Sequence, residues 1–223
     1  MGKSMNIYES GWYDAESKAR MDFLADFLFK TRPLTEYYPS KHKRLLDIGC
    51  YKGYLSVSVD SKAIAYYGLD MKNYGIKASW VLKNFKVQNL NENRKLPYPS
   101  KYFDYIVASG VLEHIFYPVE VLKEIKRILK DDGTLVVSLP NEKSLLVRIN
   151  TLMGKDPPSI EAQETKHHWM FTPKVAVQWM SKYFKIVDVN PYIGLWGRRF
   201  TPWILVRNFP NLFCSDYFIK CVK

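Results

Sequence analysis

From Arg44 to Pro140 the chain alternates short apolar runs with stretches of helical periodicity, and no other feature narrows the architecture as far. Strands are expected over 44–48, 64–69, 85–88, 105–109 and 134–139. Several are almost wholly apolar, as strands buried on both faces of a parallel sheet must be. The clearest helix is expected over 118–130. Pro118 suits its first turn, and Val121, Leu122, Ile125, Ile128 and Leu129 share one face. Asp131-Asp132-Gly133 is expected to stop it. A β-α-β succession of this kind implies right-handed crossovers and a doubly wound α/β sheet.

The flanks are less regular. An amphipathic helix is expected over 13–30, with Met21, Leu24, Ala25, Leu28 and Phe29 on one stripe. Prolines and polar residues over 33–43 break it. Beyond Pro140 a helix is expected over 142–152, then a polar, proline-containing loop over 154–166. Another helix begins at Thr172-Pro173, where the threonine caps and the proline takes the first position. Strands over 184–190 and 217–222 complete the sheet. The aromatic, basic stretch 192–213 has no assignable pattern.

Composition excludes more than it selects. With 47% hydrophobic and 25% charged residues the chain is globular. No segment offers the ~20 apolar residues that span a bilayer, and the polar N-terminus carries no signal core, so a cytoplasmic location is expected. Cys50, Cys214 and Cys221 show no C-x-x-C spacing, which argues for reduced thiols rather than a disulfide or zinc framework. A net charge of +11 suits nucleic acid, anionic lipid or phosphorylated substrates. The basic residues are dispersed, however, and a solvated basic surface accounts for them equally well.

Chemistry concentrates at the ends of the first strands. Asp47-Ile48-Gly49-Cys50-Tyr51-Lys52-Gly53 runs from a strand into a helix, and its glycines let backbone approach a ligand where a side chain would not fit. An ordinary β-α turn is the plainer reading of that loop. The next strand ends in Asp70, followed by Met71. A carboxylate there can accept two hydrogen bonds from a ribose diol, or can simply be solvated. After the third strand, Asn89 and the backbone of Leu90 can meet an adenine edge, because an amide both donates and accepts.

The block Leu96-Pro97-Tyr98 through Phe103-Asp104 to Leu112-Glu113-His114 follows in order. With the loop and Asp70, it resembles the class I S-adenosylmethionine-dependent methyltransferases of the methyltransferase 11 type, over 44–141. The resemblance implies a Rossmann-like fold with a mostly parallel seven-stranded sheet and a reversed last strand. It implies one domain over 1–223: an N-terminal helix and linker over 1–42, a cofactor-binding core over 43–141, and substrate-side helices, a lid loop and the last strands over 142–223. It also implies that Asp47, Gly49 and Gly53 hold the methionine part of the cofactor S-adenosylmethionine, with Cys50 and Tyr51 of the same loop among the cofactor-binding residues. Asp70 and Met71 then lie at the ribose, Asn89 and Leu90 at the adenine, and Ser109 and Gly110 beside the reactive methyl. Two positions depart from the family pattern: Tyr51 stands where glycine is usual, and Asn89 where an acid is usual. Ser138-Leu139-Pro140-Asn141, the 167–172 segment and Pro210-Asn211-Leu212-Phe213 more distantly resemble MetW-type proteins.

Methyl transfer is an in-line displacement from an already activated sulfonium. Orientation in a dry site can supply ~7–11 kcal/mol of it, and a general base is needed only where the acceptor must lose a proton. His114, His167 and His168 are the candidates; His114 equally suits a structural turn, and the other two a solvated lid. A metal site is not expected, since the histidine pair has no third ligand at regular spacing. The stretch 195–213 mixes arginines with rings, which suits peripheral contact with a membrane, stacked bases or plain packing. The leading expectation is an enzyme acting on a small-molecule or carbohydrate/lipid-linked acceptor. An RNA methyltransferase and a non-catalytic MetW-like accessory protein are the alternatives. A nicotinamide dehydrogenase is disfavoured, because the first turn lacks G-x-G-x-x-G.

Overall fold

Each apolar run of the first half is a strand of one sheet in the computed structural model, which describes residues 11–29, 43–59, 64–76, 81, 83–155, 167–194 and 201–223. The strands are β1 (Lys43–Ile48), β2 (Ile64–Asp70), β3 (Phe85–Val87), β4 (Phe103–Ser109), β5 (Leu129–Pro140), β6 (Lys185–Tyr192) and β7 (Asp216–Val222). The helices are α1 (Gly11–Phe29), α2 (Leu55–Ser58), α3 (Pro118–Ile128), α4 (Leu145–Leu152), α5 (Pro173–Met180), α6 (Trp203–Asn208) and α7 (Pro210–Phe213). The sheet order is β3-β2-β1-β4-β5-β7-β6. The strands from β3 to β5 pair in parallel, and β7 runs antiparallel to both β5 and β6. The expected reversed last strand is therefore present.

Alternation along each central strand sends side chains into two cores. Leu46, Ile106, Leu135 and Val137 face α3 and α5, where they meet Val121, Leu122, Ile125, Ile128, Ala176 and Met180. Leu45, Val107, Val136 and Phe218 face the other way, against Leu24, Ala25, Phe27 and Leu28 of α1. Burying each large aliphatic side chain contributes roughly 1.5–3 kcal/mol, so α1 and α3 are held by their stripes more than by intrinsic helix propensity.

Two boundaries differ from expectation. Helix α3 ends at Ile128, short of the acidic pair, because Leu129 already pairs with Phe103 of β4. The register then jumps to Tyr105 opposite Thr134, which makes Asp131-Asp132-Gly133 an irregularity inside β5. Gly133 is needed there: a Cβ would stand 2.7 Å from Leu129 Cδ1 and 3.0 Å from the Lys130 carbonyl. Helix α4 starts at Leu145 rather than 142, since Ser144 is its cap and accepts from Val147 N at 3.4 Å. Thr172 caps α5 as expected, accepting from Val175 N. Part of the stretch 192–213 is helical, in α6 and α7. The linker over 33–42 and most of the 154–166 loop lie outside the described residues.

Candidate active site

The carboxyl ends of β1, β2, β4 and β5 lie side by side along one edge of the sheet, and the residues singled out in the sequence gather there. Leaving β1, the chain turns through Gly49 at φ +74°, and Gly49 N donates to the Leu69 carbonyl of β2 at 2.7 Å. A Cβ on Gly49 would stand 2.3 Å from Val111 Cγ2, so glycine is required sterically as well as conformationally. Tyr51 also has positive φ, at +50°. Its amide donates to Asp70 Oδ2 at 2.8 Å, and its ring lies 4.8 Å from Tyr74 and 6.3 Å from Tyr54. The backbone of this position thus keeps the left-handed form that a glycine would adopt freely, while the ring joins a tyrosine cluster at the rim. Gly53, at φ +75°, closes the loop with a 2.7 Å bond to the Cys50 carbonyl.

Two carboxyls flank this loop. Asp47 is buried and accepts from the Tyr66 hydroxyl at 2.5 Å. Burial pushes its pKa up to about 7, with the Tyr66 bond opposing and Asp70 adding to the rise. Asp70 is also raised, mainly by burial, although amides of Tyr51, Met71 and Lys72 stabilise its charge. Buried neighbouring carboxyls of this kind are relieved by a cationic ligand, and S-adenosylmethionine brings both a sulfonium and an ammonium. The left-handed glycine turn and a carboxylate at the end of β2 fit that cofactor. Met71 is exposed beside Asp70. Cys50 is buried and its thiol is pushed well up by burial, which leaves it a packing residue.

At the β3 end, Leu90 is buried while Asn89 is bound within its own turn. Asn89 Nδ2 donates to Glu92 Oε1 at 2.8 Å, and its Oδ1 accepts from Asn91 N at 3.0 Å. Asn91 links this turn onward, donating to the His114 carbonyl at 3.0 Å and accepting from Phe116 N at 2.7 Å.

At the end of β4, Ser109 Oγ lies 3.0 Å from Ser138 Oγ of β5, and Gly110 N donates to Ser138 Oγ at 3.0 Å. Arg20 of α1 reaches the same point. It donates to Ser109 Oγ at 3.3 Å, to Ser138 Oγ at 2.7 Å and to Asp216 Oδ1 of β7 at 3.0 Å. Burial works against the Arg20 charge, but Asp216 outweighs it and the net shift is upward. Neither Arg20 nor Asp216 stands in a sequence motif, and Ser138 does so only within Ser138-Leu139-Pro140-Asn141. One signal was available: Arg20 falls one turn before Leu24 and two before Leu28, a charge on an otherwise apolar stripe.

The short 3₁₀ turn Leu112–His114 follows, and the segment 167–171 is strapped across it. His168 N donates to the Glu113 carbonyl at 2.7 Å, and Trp169 Nε1 to the Ile115 carbonyl at 2.9 Å. The rings of His114 and His167 stand 4.7 Å apart, edge to face. His167 Nδ1 lies 3.1 Å from Glu142 Oε1. Burial disfavours the His167 imidazolium, but Glu142 and Glu113 prevail and raise its pKa. Glu113 is buried and pushed up to about 7 by that burial. His168 turns outward instead and stacks on Phe116, with ring centres 4.1 Å apart. Two of the three histidines therefore converge, together with a carboxyl that in the sequence stands only as part of the Leu112-Glu113-His114 motif.

Elsewhere Asn141 holds the corner before β7, donating to the carbonyls of Asn211 at 3.0 Å and Cys214 at 2.9 Å. Two of the three segments compared with MetW-type proteins thus meet as a structural corner. Of the stretch 195–213, residues 195–200 lie outside the described part; Ile204 and Phe209 are exposed and Val206 is buried. No helix among the described residues is long and apolar enough to cross a membrane.

A family model described as a methyltransferase domain matches residues 17–187. The mitochondrial ubiquinone biosynthesis O-methyltransferase of Homo sapiens is 27% identical over 163 residues, covering 67% of this chain and 43% of that protein. An uncharacterized protein of Methanocaldococcus jannaschii is 29% identical over 135 residues, covering 58% of this chain and 56% of that one. The chain thus spans about half the length of these curated relatives. Among solved structures, a SAM-dependent methyltransferase from Archaeoglobus fulgidus superposes with a TM-score of 0.59 at 20% identity, covering 96% of this chain and 100% of that chain. That likeness concerns the fold. The model match covers most of the chain, and on it the chain belongs to the class I S-adenosylmethionine-dependent methyltransferases.

Proposed function

We propose that the chain transfers the sulfonium methyl of S-adenosylmethionine to a hydroxyl oxygen of a small organic acceptor, including one linked to carbohydrate or lipid. The observation that carries this reading is the convergence of His114 and His167, ring centres 4.7 Å apart, with buried Glu113 beside Gly110 at the end of β4. A hydroxyl is a poor nucleophile until its proton is removed, and proton-accepting groups at that end of the sheet serve such an acceptor. Relatives named as ubiquinone biosynthesis O-methyltransferases lend support to transfer onto oxygen. In this reading Asp47, Gly49, Cys50, Tyr51 and Gly53 follow the methionine part, and Asp70 and Met71 the ribose. Asn89 and Leu90 border the adenine, and Ser109 and Gly110 border the methyl. Residues 43–141 carry the cofactor, and residues 142–223 complete the acceptor side.

Titration calorimetry with S-adenosylmethionine is the first test, followed by transfer of a labelled methyl to panels of catechols, sugars, lipid-linked phenols and RNA. Binding with label in a hydroxylated small molecule supports the proposal. Label in RNA alone replaces the acceptor class. No cofactor binding overturns the reading and leaves the accessory role.

A further inference from the structure

We propose that Glu113, His114 and His167 form a binding site for a first-row divalent metal ion, open toward Gly110 and the methyl acceptor. One ligand atom from each lies within 4.8 Å of the others. Tetrahedral bonding at 2.0–2.2 Å sets ligand atoms ~3.3–3.6 Å apart, so side-chain adjustments of about an ångström complete the site.

The strongest sign is the carboxyl group. Glu113 is 3% exposed, and its Oε2 has no hydrogen-bond partner among the described residues. Burying a carboxyl with an unsatisfied oxygen costs several kcal/mol in effect. The nearest strong cation, Arg20, is already committed to Asp216, Ser138 and Ser109. Two imidazoles and a carboxylate with one oxygen left without a hydrogen-bonding partner make the donor set of a divalent ion.

His167 is prepared for the same role. Its Nδ1 meets Glu142 Oε1 at 3.1 Å. A carboxylate on one ring nitrogen fixes the tautomer and turns the lone pair of Nε2 outward, the usual arrangement behind a metal-bound histidine. The ligands come from segments more than fifty residues apart, yet the backbone holds them together. His168 N and Trp169 N donate to the Glu113 carbonyl at 2.7 and 3.3 Å, and Glu142 N to the Phe171 carbonyl at 3.1 Å. Such support from separate bonds is what keeps a site pre-organised.

Two imidazoles and one carboxylate favour zinc, manganese, iron or cobalt over magnesium or calcium, which prefer all-oxygen sites. Three protein ligands leave coordination positions open. Resting on the function proposed above, a cation there lowers the pKa of an acceptor hydroxyl beside Gly110. The hydroxyl proton leaves to solvent. The oxygen electron pair then forms the new C–O bond, while the C–S pair returns to sulfur and S-adenosylhomocysteine departs. Glu113 and the histidines then assist removal of the hydroxyl proton through the ion they hold rather than by taking the proton themselves.

The test uses the full chain, stripped with a chelator and then titrated with zinc, manganese or cobalt chloride. One equivalent should bind, and cobalt should develop the visible absorption of mixed nitrogen and oxygen coordination. Glu113→Gln and His167→Ala should each weaken binding by more than about tenfold, and Glu142→Gln by roughly 10–100-fold. The cobalt spectrum of the unaltered protein keeps the test valid even if a variant fails to fold. Absence of stoichiometric metal, or binding unchanged by Glu113→Gln and His167→Ala, overturns the site. S-adenosylmethionine titration run alongside separates the two proposals: cofactor binding without metal removes only this one, and metal without cofactor binding removes only the function proposed above.

Discussion

Tyr51 illustrates how a single residue departs from its family's habit without changing the path of the chain. Its φ of +50° is the left-handed form that a glycine adopts freely, and its amide still reaches Asp70 at 2.8 Å. The departure was legible in the sequence as an odd member of the loop, but the outcome was not, because ring placement depends on Tyr54 and Tyr74 from outside the motif. The left-handed form costs an ordinary residue about 1–2 kcal/mol. Tyr51→Gly should therefore be more stable than Tyr51→Ala by about 1 kcal/mol in urea denaturation, since both lose the ring and only the glycine escapes the strain. Equal stability would mean that this backbone relaxes when the ring is removed. At Glu113 and His167 the limit on reading is of another kind. No spacing rule links 113 to 167, and their meeting depends on the strap that the fold lays across the turn.

At the scale of elements, the strands were legible because burial on both sheet faces demands apolar runs. The end of α3 was not, since Asp131-Asp132-Gly133 reads as a stop although pairing of Leu129 with Phe103 claims the chain earlier. The seating of α1 depends on β7, the strand farthest from it in sequence. Lys220 is 4% exposed and donates to the Leu28 carbonyl at 2.7 Å and the Phe27 carbonyl at 3.3 Å, closing the last turn of α1. A cation at a helix C-terminus also meets the negative end of its dipole. Hydrogen bonds to a charged group contribute roughly 1.5–3 kcal/mol. Lys220→Met should lose about that much stability, with faster hydrogen exchange confined to the second half of α1. Unchanged exchange at residues 24–29 would show that apolar packing alone holds the helix.

Across the whole molecule, the candidate binding residues and a supporting ion cluster lie at opposite ends of the parallel strands. Asp104, from the same Phe103-Asp104 motif that helped identify the family, lies at the supporting end. It accepts from Arg44 N at 3.0 Å, Lys43 Nζ at 2.9 Å and Lys130 Nζ at 2.8 Å, tying β1, β4 and β5. Burial alone would raise its pKa, but Lys130, the Arg44 amide and Lys43 prevail and hold it below the ordinary value of 3.8. Its contribution is therefore present above that value and is lost as pH falls through the lower folded one. Asp104→Asn should lose about 1.5–3 kcal/mol at pH 7. The gap to the unaltered protein, followed by urea denaturation, should begin to narrow below about pH 4 and go on narrowing as the pH falls further. A gap that does not narrow as pH falls from about 5 to about 2 would contradict that assignment. The tie between α1 and β7 also carries a consequence for synthesis. Leu28 and Lys220 are 192 positions apart, so at ribosomal rates of about 5–20 residues per second the helix emerges roughly 10–40 s before the lysine that closes it. Through that interval Leu24, Phe27 and Leu28 have no Phe218 to rest on, which makes this helix of the nascent chain a natural point of attachment for a chaperone.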